Sequence, residues 1–146
     1  MRAELIPMEE KDLEMILSWR NHESVAKWSA GKIPMERHLE WFSFSNPHRY
    51  IFILKDKPAG FVKFEPQERG GHRWSFYLNP FEKHPKGAAT IMLSMALAVF
   101  YSHMGEEPIM AECHHDNHAS LRLHKKFGFE EFEPDGDFRR FIKWPS

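Results

Sequence analysis

The segment from residue 74 to residue 90 constrains the fold more than any other part of the chain. It reads as a strand over residues 74–78, a polar loop with two prolines and one glycine, and the start of a long apolar helix. Such a loop leaves several backbone N–H groups and the positive end of the helix dipole directed at one place. The segment therefore predicts an anion site. It lacks the Gly-Lys-Ser/Thr ending of a P-loop and the three glycines of a dinucleotide fold, which argues against a nucleoside triphosphate γ-phosphate and NAD.

Length and composition favour a single globular domain over residues 1–146. The net charge of -1 gives no general basic field, so a nucleic-acid partner is not expected. A lone cysteine, Cys113, cannot form an internal disulfide, and residues 1–12 contain no signal-peptide core. Both features favour a cytoplasmic location. The longest apolar run, residues 87–101, is too short to span a bilayer, so no membrane association is expected.

The hydrophobic pattern predicts a mixed α/β fold. Strands are expected over residues 3–6, 49–55, 60–65, 74–78, 109–113, 129–132 and 138–143, and helices from Asp12, over 34–44, over 88–104 and over 117–126. Gly105 and Gly128 are expected to end the last two helices. A strand, a long helix and a further strand form a crossover in which the two strands run parallel, so the anion loop and the residues after Cys113 should meet at one site.

Two segments of the second half carry a family resemblance. The loop matches a Gln/Arg-x-x-Gly-x-Gly/Ala motif, and a second marker runs from an asparagine through Ala-Ser to a Lys-Gly-Phe-like helix end. The matching residues are His84, Gly87 and Ala89, then Asn117, Ala119, Ser120, His124, Lys125, Lys126, Phe127, Gly128 and Phe129. On these residues the chain resembles the GNAT superfamily of acetyl-CoA-dependent N-acetyltransferases over almost its whole length. The resemblance implies a mostly antiparallel seven-stranded sheet with helices on both faces.

The resemblance also implies acetyl-CoA as cosubstrate, with no metal. In the family the loop amides hold the pyrophosphate of coenzyme A, and the preceding strand pairs with pantetheine. The implied cofactor-binding residues are Tyr77, Leu78, Asn79, His84, Lys86, Gly87, Ala88, Ala89, Thr90, Asn117 and Ser120. Lys83 and Lys86 lie close enough in sequence to contact a phosphate of the cofactor.

Acetyl transfer to an amine requires a neutral amine, a donor for the oxyanion and a stabilised leaving thiolate. His124 stands where the family usually has a tyrosine as general acid, so the resemblance makes His124, or a water that it holds, a candidate proton donor to sulfur; the alternative is a histidine packed between helix and sheet. Glu112 is a candidate acceptor of the amine proton through water, or else a solvated carboxylate. Glu65 is a weaker candidate for that role. Asn117 is either a pantetheine contact, a helix N-cap, or both.

A narrower resemblance concerns the acceptor. The residues at 19–23, 28, 33, 38–39 and 77–81 are similar to the nucleotide-sugar N-acetyltransferases of pseudaminic-acid biosynthesis. This implies a UDP-4-amino-4,6-dideoxy-sugar as acceptor. The substrate-binding residues that it implies are Arg20, His38, Trp41, Tyr77 and Glu112. The chain has Ser29-Ala30 where those enzymes have Met-Tyr, which predicts a wider pocket.

Several alternatives stay open from the sequence. The acceptor could be a protein N-terminus, as in ribosomal-protein acetyltransferases, or the chain could be a CoA-binding module without catalysis. The histidines at 114, 115, 118 and 124 lack a recognised metal-ligand spacing. Phe138 and Phe141 on the closing strands would permit a homodimer and are equally suited to the core.

Overall fold

The chain forms one seven-stranded sheet in a computed structural model that describes residues 2–28, 34 and 48–145. The strands are β1 (Ala3–Pro7), β2 (Arg49–Leu54), β3 (Lys57–Pro66), β4 (His72–Leu78), β5 (Ile109–His114), β6 (Glu130–Asp135) and β7 (Phe138–Lys143). The helices are α1 (Leu13–Arg20), α2 (Glu23–Ala26), α3 (Ala88–Met104) and α4 (His118–Lys126), with a 3-10 turn at Glu10–Asp12. The helix predicted over residues 34–44, with His38 and Trp41, lies outside the described residues.

The strand order is β1-β2-β3-β4-β5-β7-β6, and every neighbouring pair is antiparallel except β4 and β5. The two parallel strands are joined through α3, as the crossover pattern predicted. The mixed, mostly antiparallel fold is confirmed.

Helices cover both faces of the sheet. On one face, α3 buries Met92, Leu93 and Phe100 against β2–β5, and α4 adds Leu121 to the same cluster. On the other face, α1 packs Ile16 and Trp19 against side chains of β2 and β3. None of the helices among the described residues has the length and apolarity that crossing a membrane would need.

The parallel strands β4 and β5 pair at only two positions, His72 with Ile109 and Arg73 with Met110. From Trp74 to Leu78 the edge of β4 that faces β5 has no strand partner in the described part of the chain. Antiparallel β3 continues to pair with β4 as far as Leu78. The sheet therefore splits open beyond Arg73, and the split exposes unpaired backbone groups along one edge of β4.

Three local predictions needed correction. The helix expected from Asp12 begins at Leu13, and the Asp12 side chain does not cap it; the Asp12 carboxylate accepts from the Glu9 amide at 2.9 Å within the preceding 3-10 turn. The short helix α2 was not predicted. Phe141 is fully buried and Phe138 borders a cavity, so these two rings do not form the exposed surface that was considered for a homodimer.

Candidate active site

A cavity of about 1030 Å³ occupies the split between β4 and β5. Its walls come from α1, α2, the strands β3–β5, the loop after β4, and the first turns of α3 and α4. It includes Arg20, Tyr77, Leu78, Asn79, His84, Ala89, Glu112, Asn117, Ser120 and His124 from the predicted site residues. The sequence thus predicted residues from both halves of the chain that the fold brings to one cavity.

Strand alternation divides the lining into two halves. Trp74, Phe76 and Leu78 of β4 pack in the core cluster of α3, whereas Tyr77 packs in the cluster of α1. On β5, Cys113 faces the α3 side, so Glu112 faces the α1 side with Tyr77. We call these the α3 half and the α1 half of the cavity.

The anion loop lies at the N-terminus of α3. Gly87 is its N-cap residue with a φ of 88°, a left-handed conformation that favours glycine. The Ala88 amide donates to Pro85 O at 3.1 Å, so the prediction that it serves the cofactor is wrong. Within the described part of the chain, the amides of Lys86, Gly87, Ala89 and Thr90 have no hydrogen-bond acceptor. These N–H groups remain available to an anion at this end of the helix.

Asn79 and His84 hold the loop in shape. The side-chain nitrogen of Asn79, Nδ2, donates to Pro58 O at 3.2 Å, and its side-chain oxygen, Oδ1, accepts from the Phe81 backbone amide at 2.9 Å. His84 Nε2 lies 2.8 Å from Asn79 O and is placed to donate to it. Both ends of the Asn79 side chain are therefore engaged within the protein, while Asn79 itself borders the cavity as a predicted cofactor-binding residue. His84 borders the cavity while it stabilises the loop.

His124 does not have the geometry of a proton donor to the cofactor. Its ring is 2 % exposed, Nε2 accepts from the Trp74 indole N–H at 2.9 Å, and Nδ1 lies 2.7 Å from Ser120 O. Accepting at Nε2 and donating at Nδ1 defines the neutral imidazole. Burial lowers the pKa of His124, which also favours the neutral form. The alternative of a packed histidine fits the structure, and the predicted acid role does not.

The first turn of α4 presents polar groups to the α3 half. The Asn117 side chain accepts from the Ser120 amide at 3.3 Å, so Asn117 is an N-cap that also borders the cavity. Ser120 Oγ is half-buried and lies 3.1 Å from Cys113 Sγ. Burial raises the pKa of Cys113, which keeps its thiol protonated. Ser120 and Cys113 are therefore the hydroxyl and thiol groups that face this half from β5 and α4.

The α1 half carries mixed charges. Arg73 Nη1 lies 3.6 Å from Glu112 Oε1, and both side chains are more than a third exposed. Lys63 forms an ion pair with Glu65. The Tyr77 and Phe61 rings are tilted against each other with their centroids 5.3 Å apart. Burial raises the pKa of the Tyr77 phenol, so the hydroxyl stays protonated close to Arg20. Both carboxylates considered as bases therefore have a cationic neighbour.

Histidines cluster where β5 ends. The atoms of His114, His115 and Asp116 that could ligate a metal lie within 4.8 Å of one another. They already contact each other: the Asp116 amide donates to His114 Nδ1, and His115 Nδ1 is 3.0 Å from the Asp116 carboxylate. His124 belongs to a different, buried environment. The four histidines considered together in the sequence thus do not form one group.

The sequence of the chain matches the profile of the acetyltransferase (GNAT) domain family over residues 2–130. The chain belongs to the GNAT acetyltransferase family. It is 28% identical over 110 residues to an uncharacterized N-acetyltransferase from the SPbeta prophage of Bacillus subtilis, YokL. That match covers 74% of this chain and 58% of the relative, so the GNAT domain matches little more than half of the relative's length.

Solved structures share the GNAT fold. The aminoglycoside acetyltransferase AAC(6')-Ib in complex with coenzyme A superposes with a TM-score of 0.81 at 17% identity, over 98% of this chain and 95% of that one. A putative phosphinothricin N-acetyltransferase gives a TM-score of 0.81 at 24% identity, over 99% of both chains. A domain from Methanocaldococcus jannaschii gives 0.85 at 16% identity, over 98% of both chains. At these identities the comparison concerns the fold.

Sequence reasoning missed several GNAT cavity residues. Lys63, Arg73 and Ser75 border the α1 half, and Cys113 borders the α3 half. The signal for Arg73 and Ser75 was their alternation with the apolar Trp74 and Phe76, because successive residues of a strand face opposite sides of the sheet.

Proposed function

We propose that this domain transfers the acetyl group of acetyl-CoA directly to the amine of an amino-sugar nucleotide of the UDP-4-amino-4,6-dideoxy-sugar type. The observation that carries the proposal is the continuity of one cavity from the anion loop, along the open edge of β4, to a cationic α1 half. Coenzyme A is bound by the AAC(6')-Ib relative. We assign the phosphates of acetyl-CoA to the anion loop, its pantetheine to the open edge of β4, and its thioester to the split where the α3 half meets the α1 half.

The cofactor occupies the α3 half. The pyrophosphate accepts hydrogen bonds from the amides of Lys86, Gly87, Ala89 and Thr90, where the helix dipole adds to the attraction. Pantetheine pairs with the edge of β4 at Tyr77 and Leu78, in the manner of an added strand. These contacts bring the thioester to the split beside α4, where Asn117 and Ser120 border the cavity.

The reaction needs no covalent enzyme intermediate. The amine nitrogen attacks the thioester carbonyl carbon, the C–N bond forms, and the C–S bond breaks as the intermediate collapses. The amine proton passes through water to Glu112, whose side chain is exposed in the α1 half. The leaving thiolate is stabilised by the Ser120 hydroxyl and takes its proton from solvent. His124 has no part in these transfers.

Charge in the α1 half favours an anionic acceptor. The charged side chains that line the cavity in the described part of the chain are the cations Arg20, Lys63 and Arg73 and the anions Glu82 and Glu112. This excess of cations attracts a diphosphate and repels a polycationic aminoglycoside. It also disfavours a protein N-terminus, for which an acidic groove was expected. Trp28 borders the same half and offers a ring for stacking on a uracil.

A thiol-release assay across acceptor classes tests the proposal. Binding of acetyl-CoA is first measured by thermal shift, and release of free coenzyme A is then followed with a UDP-amino-sugar, an aminoglycoside and N-terminal peptides. We expect release with the amino-sugar nucleotide. Release with peptides alone would identify the N-terminal acetyltransferase instead, and binding without release for any amine would identify a non-catalytic CoA-binding module.

A further inference from the structure

Lys126 connects the end of α4 to the start of α3. It is an exposed residue in the last turn of α4, and its Nζ donates to Thr90 Oγ1 at 3.3 Å across 36 residues of sequence. Thr90 is one of the four residues whose amides are available at the anion loop. The ammonium group therefore lies beside the same helix end that presents those amides.

This position is electrostatically unfavourable in the protein alone. The N-terminus of a helix carries partial positive charge, and the first turn of α3 contains no acidic residue. Across the described residues, no carboxylate forms an ion pair with Lys126. A cation held next to a positive helix end is stabilised when an anion lies between them.

A simpler explanation covers part of this arrangement. Cations are favoured in the last turn of a helix, and both Lys125 and Lys126 occupy the last turn of α4. Lys125, however, acts electrostatically on Glu131 of β6. The position on α4 thus accounts for having a lysine, and it does not account for the contact of Lys126 with Thr90.

We infer that Lys126 is a cofactor-binding residue that pairs with the pyrophosphate of acetyl-CoA. The inference rests on the proposed function, which supplies the cofactor. The pyrophosphate is favoured over the 3′-phosphate because an anion on the Thr90 amide is within reach of a group that already contacts the Thr90 hydroxyl. The charge-assisted hydrogen bond from Lys126 adds to the hydrogen bonds from the loop amides. The pyrophosphate also neutralises the ammonium charge, which the positive end of α3 would otherwise repel.

The test compares Lys126→Ala with Lys125→Ala, which removes the same charge from the same helix turn. Dissociation constants are measured for acetyl-CoA and acetyl-3′-dephospho-CoA by calorimetry, and for acetylpantetheine by NMR titration. We expect Lys126→Ala to raise the dissociation constants of both CoA ligands equally, by about tenfold. This is at the lower end of the effect of losing a hydrogen bond to a charged group. Acetylpantetheine, which has no pyrophosphate, should bind both variants like the unaltered protein, and Lys125→Ala should change none of the three.

Each other outcome overturns the inference. A loss confined to acetyl-CoA assigns Lys126 to the 3′-phosphate, and a loss with all three ligands, or with Lys125→Ala as well, indicates a general effect on the fold. No loss at all removes Lys126 from the site. If the unaltered protein does not bind acetyl-CoA, the proposed function and the inference both fail. If the unaltered protein binds it and Lys126→Ala binds it equally well, only the inference fails. Lys126→Arg, which keeps the charge, should retain most of the affinity.

Discussion

At the scale of single residues, His124 shows how one side chain can hold two elements together at a reactive site. Its ring accepts a hydrogen bond from Trp74 of β4 and donates one to Ser120 O of α4. It thereby ties the strand that borders the split to the helix that covers it. A buried ring with both nitrogens engaged stabilises the cavity wall and has no proton to give at neutral pH.

The substitution His124→Gln tests this role, because glutamine keeps one donor and one acceptor. We expect kcat to change by less than about tenfold, well below the roughly 10²- to 10⁴-fold contribution of a general acid. Burial lowers the pKa of His124, so the ring stays neutral in the folded state. In the unfolded chain the same ring is protonated below about pH 6.5. Its contribution to stability is therefore complete above that pH and is lost as the pH falls further.

Urea unfolding of His124→Gln between about pH 5 and pH 7.5, a range that brackets the titration of a free histidine, checks the second expectation. The variant should lose less stability on acidification than the unaltered protein. His118→Gln, at an exposed position of the same helix, should behave like the unaltered protein. Equal acid sensitivity of all three proteins would contradict a neutral, buried His124 ring. A kcat loss of about a hundredfold or more in His124→Gln would restore the catalytic interpretation.

At the scale of elements, the anion loop depends on a backbone conformation more than on side chains. Gly87 has a φ of 88°, and a Cβ added there would meet nothing within 4 Å. Gly70, in the turn before β4, has a φ of 92° and equally open surroundings. Alanine at either position should cost about 1–2 kcal/mol of stability through the left-handed backbone alone. Only Gly87→Ala should also weaken acetyl-CoA binding, because it turns the loop amides away from their common direction.

Calorimetry with acetyl-CoA and urea unfolding of both variants separate these effects. A loss of affinity in Gly70→Ala equal to that in Gly87→Ala would show that global destabilisation, rather than the loop, controls binding. Unchanged affinity in both would argue against the amides of this loop as the phosphate site.

The elements themselves were largely predictable, because periodicity and glycine positions are properties of the local sequence. Helix α3 was predicted with its observed bounds, 88–104, since Gly87 and Gly105 flank a continuous apolar run. The four-residue α2 has no such pattern. The role of His124 could not be read from sequence either, because it depends on Trp74, 50 residues away, and on burial between strand and helix.

At the scale of the whole molecule, the sheet separates the two halves of the cavity. Successive residues of β4 point to opposite faces, so under the proposed function we expect the cofactor and the acceptor to approach the split from opposite sides and to meet only where β4 and β5 diverge. Residues of the α3 half should therefore affect acetyl-CoA, and residues of the α1 half should affect the acceptor. This division follows from the strand alternation and does not depend on the identity of the sugar.

Arg73→Gln tests the division and the anionic acceptor together. The change removes a cation from the α1 half and leaves the Glu112 carboxylate without its ion-pair partner Arg73, so a diphosphate meets less attraction and more repulsion. We expect KM for the amino-sugar nucleotide to rise about tenfold, with weaker dependence on salt, while the Kd of acetyl-CoA stays unchanged. Arg69→Gln, an exposed position in the turn before β4, is the matched control and should change neither constant. A parallel rise in the Kd of acetyl-CoA would mean that the sheet does not separate the sites, and an acceptor KM that falls would identify a cationic acceptor.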